Sequence, residues 1–136
     1  MADADCVFCE IISGQAEATV LFESNEIIIF KDIKPASKYH LQVVPKKHIR
    51  NIHYLKPKDK DFVEEMFVLS RYILELNGGD CNDARIGFHC PPYTSVNHLH
   101  LHVISPESKM GAYQRSRFES PKFKLVEDVI SQLSKQ

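Results

Sequence analysis

Apolar positions along the chain change period several times, and each change marks an element. Over residues 6–13, Val7, Phe8, Ile11 and Ile12 recur at helical offsets, and Gly14 follows as a stop, which predicts a short amphipathic helix. β-rich runs at 19–23 and 27–31, separated by Ser24-Asn25-Glu26, predict a hairpin. A third strand at 39–44 is expected to stop at Pro45, which lacks a ladder donor, with 32–37 as loop. Beyond Pro57, suited to a first helical turn, Phe62, Met66, Leu69, Ile73 and Leu76 alternate steps of four and three, the longest helical pattern in the chain. Asn77-Gly78-Gly79 ends it. Residues 84–89 and 99–105 read as two more strands around a turn-rich 90–95, and 124–133 as a last helix aligning Leu125, Val126, Val129, Ile130 and Leu133. The sum is an α+β domain: a five-stranded antiparallel sheet with one long helix, a short N-terminal helix and a C-terminal helix.

Composition narrows this picture. A chain of 136 residues, 43% hydrophobic, is read as one domain over 1–136, with its core in 6–105 and an extension carrying the last helix over 106–136. A net charge of -1 gives no global attraction to a polyanion, so nucleic acid is an unlikely main partner and small ligands are favoured. The apolar runs are far shorter than the roughly 20 residues of a membrane helix, so no membrane partner is expected. The acidic opening Met1-Ala2-Asp3-Ala4-Asp5 is the wrong chemistry for a leader. A cytoplasmic or nuclear location is expected, with the four cysteines as thiols or metal ligands.

The sharpest chemical feature is His98-Leu99-His100-Leu101-His102-Val103-Ile104. On a helix, steps of two residues turn side chains by roughly 200°, whereas a strand returns every second side chain to one face at roughly 6.6 Å intervals. The three imidazoles therefore share a face, and Leu99, Leu101 and Val103 point to the core. Clustered imidazoles repel when charged, so the central ring is expected to stay neutral and nucleophilic near pH 7. Its attack on phosphorus would form a phosphohistidine-type intermediate that water hydrolyses. The alternative chemistry is metal binding, because His-x-His on a strand can place two nitrogens on one zinc. Cys6-x-x-Cys9 is a second metal-like signal, either half of a Cys2His2 site or two plain thiols. Lys46 and Lys47 read as solvated, and the adjacent His48 gains a role only where the fold brings it to the triad. Ser95 offers a hydroxyl just before the triad. The basic stretch of Lys109, Arg115, Arg117, Lys122 and Lys124, tempered by Glu107 and Glu119, reads as a solvated face.

The alternating histidines resemble the signature of the histidine triad (HIT) superfamily. Cys6-Val7-Phe8-Cys9-Glu10-Ile11-Ile12, Phe30-Lys31-Asp32-Ile33-Lys34-Pro35 and Val43-Val44-Pro45-Lys46-Lys47-His48-Ile49 look like its other blocks, in the same order. Gly87-Phe88-His89-Cys90-Pro91-Pro92 and Ser95-Val96-Asn97-His98 look most like the branch of histidine triad nucleotide-binding protein 3, with aprataxin as a neighbour. The ordinary branch carries Asn where His89 stands, so His89 would offer a phosphate oxygen a titratable donor in its place. The resemblance implies a HIT-like α+β fold, often a homodimer joining two sheets. It implies purine nucleotide substrates such as adenosine 5'-phosphoramidates or acyl-adenylates, cleaved at the α-phosphorus to release AMP. Catalytic roles fall to His100 as nucleophile, His98 as orienting group, His102 as phosphate contact and Ser95 as aid to the leaving group. Asp32 would hold the ribose hydroxyls, and Phe8, Ile11, Phe30 and Ile33 would wall the base. No cofactor is implied for catalysis. Some Cys-containing members are similar in holding a structural zinc through four positions, here Cys6, Cys9, His48 and His98. The alternatives are a nucleotide-binding regulatory or scaffold protein with little turnover, and aprataxin-like deadenylation. The latter is disfavoured because no cysteine follows Cys90 to build aprataxin's C-terminal zinc finger.

Overall fold

The structure, a computed structural model, describes residues 6–135. Met1 to Asp5, read above as no leader, lie outside the described residues. Six strands form one sheet: β1 (Val20–Glu23), β2 (Ile27–Lys31), β3 (Tyr39–Pro45), β4 (Arg85–His89), β5 (Leu101–Ser105) and β6 (Phe123–Leu125). They lie in the order β1-β2-β3-β5-β4-β6, every neighbouring pair antiparallel. Four α-helices accompany them, α1 (Val7–Ile12), α2 (Lys60–Leu76), α3 (Ala112–Arg117) and α4 (Val126–Ser134).

Strand alternation sorts the core onto two faces. Ile27, Ile29, Leu41, Val43, Leu101 and Val103 meet Val63, Met66, Ile73 and Leu74 of α2 and Val126, Val129 and Leu133 of α4. Ile28, Phe30 and Val44 point the other way, onto Phe8 and Cys9 of α1. Met66 is fully buried, so truncation to Ala should cost about 2–5 kcal/mol. Gly78 closes α2 with φ 99°, a conformation that favours glycine, and a Cβ there would also lie 2.8 Å from the Tyr39 hydroxyl.

The architecture corrects the sequence reading at five places. The sheet has six strands rather than five, because residues 123–125 extend along the outer edge of β4 and α4 starts only at Val126, not at residue 124. Gly87 makes this approach possible: a Cβ there would collide with the Lys124 carbonyl oxygen and sit 2.6 Å from the Phe123 ring. Strand β5 starts at Leu101 rather than Leu99, so His98 and His100 precede the ladder. The backbone is held there by Leu99 N–H donating to the Ile49 carbonyl at 2.6 Å. Pro45 lies inside β3, paired with Ile27 at the strand end. Finally, α3 was not foreseen, and Pro57 opens a 3-10 turn, Pro57–Asp59, just ahead of α2. No helix among the described residues is long and apolar enough to cross a membrane.

Candidate functional site

The three histidines of the motif lie on the α1 side of the sheet, each in a different environment. His100 is almost wholly buried, its ring 4.9 Å from that of Phe8 and 4.8 Å from that of His102. Its Nδ1 lies 2.7 Å from the His98 carbonyl oxygen, which can only accept, so Nδ1 carries the proton and Nε2 the lone pair. Burial pushes the His100 pKa down to about 4, with His89 and His98 adding like-charge repulsion once protonated. The result is a neutral imidazole whose Nε2 meets no hydrogen-bond partner among the described residues. His98 was expected to orient the central ring, and the contact between the two runs through the His98 backbone carbonyl rather than its side chain.

The His98 side chain turns the other way. Its Nε2–H donates to the Pro45 carbonyl at 2.8 Å, which leaves Nδ1 as a lone pair. That nitrogen lies 3.3 Å from Cys6 Sγ, 3.5 Å from Cys9 Sγ and 3.1 Å from His48 Nδ1, and Cys9 Sγ lies 3.3 Å from the same His48 nitrogen. The four donors lie within 4.8 Å of one another. A tetrahedral zinc, with Zn–S near 2.3 Å and Zn–N near 2.0–2.1 Å, requires S···N separations of roughly 3.5 Å and N···N of roughly 3.3 Å. The donor set fits, and Pro45 supplies the carbonyl that zinc-binding imidazoles commonly need on their other nitrogen. Burial raises the Cys6 pKa and lowers that of His98. The fold thus brings His48 to the motif from the turn after β3.

His102 belongs to a hydrogen-bonded relay instead. The Ala36 N–H donates to His40 Nδ1 at 3.0 Å, so His40 carries its proton on Nε2 and donates to His102 Nδ1 at 2.9 Å. His102 Nε2–H then donates to His89 Nδ1 at 3.2 Å, and His89 Nε2–H to the Arg117 carbonyl at 2.8 Å. Every N–H meets a lone pair with all three rings neutral. Burial, the largest cause for each, pushes His40 down to about 4, His89 below its ordinary value and His102 well below it. Both ring nitrogens of His102 and of His89 are therefore engaged within the protein. Either contacts a phosphate oxygen only by giving up one of these bonds.

Asp32 sits at the edge of this relay. Its Oδ1 accepts from the Lys34 N–H at 2.7 Å and its Oδ2 from Gln42 Nε2 at 2.6 Å, with His40 Nε2 3.4 Å away. Ile11, Asp32 and Ile33 line one open groove of about 790 Å³, completed by residues 16–20. Phe8 and Phe30 are buried edge to face, 5.4 Å apart, and Ile33 is 89% exposed, so of the four expected wall residues only Ile11 and Ile33 line that groove. Ser95 is exposed in the loop before the motif.

Sequence reasoning missed His40, Gln42 and Phe118. The signal for the first two was present: polar residues at alternate positions of an otherwise apolar β3 must share the face of the histidines. Phe118 was hidden within the stretch read as a solvated basic face. That reading holds for exposed Lys109 and Arg115, but Phe118 is 1% exposed and packs on His40, His89 and His102, with ring centroids 4.9 to 5.6 Å away.

A family model described as "Scavenger mRNA decapping enzyme C-term binding" matches residues 5–118. The Mus musculus protein named adenosine 5'-monophosphoramidase HINT3 is 46% identical over 112 residues, covering 80% of this chain and 68% of the mouse protein. The Xenopus tropicalis protein of the same name is 37% identical over 135 residues, 96% of this chain and 88% of the frog protein. Among solved structures, a histidine triad protein from Clostridium difficile matches with a TM-score of 0.71 at 32% identity, covering 76% of this chain and 92% of that one.

Proposed function

The chain belongs to the histidine triad family, and from that premise we propose that it is an adenosine 5'-monophosphoramidase acting through a covalent nucleotidyl-His100 intermediate. One observation carries the mechanism: His100 is held neutral, its Nδ1–H fixed on the His98 carbonyl and its Nε2 lone pair free. Similarity to the two phosphoramidases supports adenosine 5'-phosphoramidates as substrates, with acyl-adenylates as the related class.

In the first step the Nε2 lone pair attacks the α-phosphorus, forming a P–N bond as the bond to the leaving amine breaks. The departing nitrogen takes a proton from the Ser95 hydroxyl, which exchanges with solvent in its exposed loop. In the second step a water oxygen attacks the same phosphorus. The His100–phosphorus bond breaks, the water proton passes to solvent, and AMP leaves with His100 restored. Asp32 accepts from the ribose, and the groove bounded by Ile11 and Ile33 takes the base, with Ile11 packed on the buried cluster of Phe8 and Phe30. Cys6, Cys9, His48 and His98 would hold a structural zinc, whose chemistry is to bind four donors and fix the His98 segment. Through the His98 carbonyl, that segment orients the nucleophile. For a sheet-joining homodimer, β6 already covers the β4 edge, which leaves β1 as the longer open edge.

The test is intact-protein mass spectrometry after rapid acid-free quenching with an adenosine phosphoramidate. Wild type should show a covalent AMP adduct. His100→Ala should show none and lose turnover by at least about 10⁴-fold, while AMP affinity stays within about tenfold. Normal turnover by that variant would remove His100 as the nucleophile.

A further inference from the structure

Among the described residues, one buried polar side-chain atom has no hydrogen-bond partner: Gln42 Oε1. Gln42 is 9% exposed and lies on β3, opposite Phe30 on one side and His102 on the other. Alternation puts it on the face of His40 and Val44, between the relay and the aromatic pair. Its orientation follows from its partner. A carboxylate only accepts, so the amide nitrogen must face Asp32 Oδ2, at 2.6 Å, and the carbonyl oxygen is turned away. A buried acceptor without a donor is costly, and a leucine or methionine would fill this position on an otherwise apolar strand without that cost. The orphan is at odds with the folded chain alone and fits a chain that meets a donor when it binds its ligand.

The position of the atom names the donor. Asp32 keeps acceptor capacity after taking the Lys34 and Gln42 protons, because a carboxylate offers about four lone-pair sites. Gln42 Oε1 belongs to the amide whose nitrogen is bonded to Asp32, so the two residues offer acceptors one amide group apart, and a ribose presents two hydroxyl donors on adjacent carbons. We infer that Gln42 Oε1 accepts a hydrogen bond from one ribose hydroxyl of the bound nucleotide while Asp32 accepts from the other. Gln42 is then a specificity residue selecting ribonucleotides over deoxyribonucleotides. This rests on the proposed nucleotide site and adds to it the residue that reads the sugar.

Calorimetric titration of the full chain with AMP, 2'-deoxy-AMP and 3'-deoxy-AMP tests it. Wild type should bind AMP roughly 5- to 100-fold more tightly than the deoxy analogue lacking the hydroxyl that Gln42 reads. In Gln42→Leu, and in Gln42→Met should the first fold poorly, that ratio should fall below about threefold while preference against the other analogue persists. Equal collapse of both ratios would mean that Gln42 merely holds Asp32, and would overturn the inference. So would unchanged ratios in the folded variants, or a wild type indifferent to both hydroxyls. Absence of AMP binding would sink this inference and the proposed function together. The expected binding pattern without phosphoramidate turnover would remove the hydrolase reading and leave Gln42 as assigned.

Discussion

His98 and His102 flank His100 from within the same motif, and both are almost fully buried, yet their surroundings oppose each other. Around His98, the free nitrogen faces two sulfurs and another imidazole nitrogen, a donor set that fits the proposed zinc. Around His102, donors and acceptors alternate from the Ala36 amide to the Arg117 carbonyl, and the network is complete with neutral rings. The comparison teaches that place in the motif does not assign a histidine its task. The atom opposite each ring nitrogen does. Those atoms come from α1, the end of β3 and the turn after it on one side, and from β3, β4 and the last residue of α3 on the other.

The largest effect should come from the sulfur side. A Cys6→Ser/Cys9→Ser variant should lose zinc, from about one ion per chain to background by elemental analysis, and its Tm should fall by about 10 °C. A wild-type chain that emerges from expression and a zinc-supplemented buffer without metal would cancel this half of the comparison. On the other side, His102→Ala would strand the His40 Nε2–H and the His89 Nδ1 lone pair. It should cost about 3 kcal/mol in denaturant unfolding and lower turnover while zinc content stays unchanged. Zinc loss in His102→Ala would show that the two halves are one unit.

The smallest effect is a pH dependence that the relay shares with His98 and His100. His40 is pushed down to about 4, and His89 and His102 also lie below their ordinary value, so below pH 6.5 the folded chain binds fewer protons than the unfolded one. Their stabilising contribution is therefore whole above about pH 6.5 and is lost as pH falls toward 4. Calorimetric Tm values between pH 7 and 4.5 should decline, and His89→Asn should make the decline shallower. An identical slope in that variant would take His89 out of the relay.

Much of this molecule was legible along the chain. Alternation at Leu99, Leu101 and Val103 placed those side chains in the core against α2 and α4, and thereby turned the histidines to the other face. Steps of three and four put Met66 and Ile73 of α2 in the core, although Leu76 of the same pattern is exposed and Val63 and Leu74 are buried beside them, and the Cys-x-x-Cys turn of α1 put two sulfurs together. These are consequences of backbone period, which neighbouring residues set among themselves. Strand β6 was not legible, because three residues ahead of a helix become a strand only when another edge, cleared by Gly87, stands beside them. Nor was the relay of His40, His89 and His102, whose members are 13 to 62 residues apart in consecutive bonds. The proton positions that distinguish a nucleophile, a ligand and a scaffold depend on which distant carbonyl, amide or sulfur comes within about 3 Å of a ring nitrogen. Periodicity determines the face a side chain takes, and only tertiary packing supplies the partner waiting there.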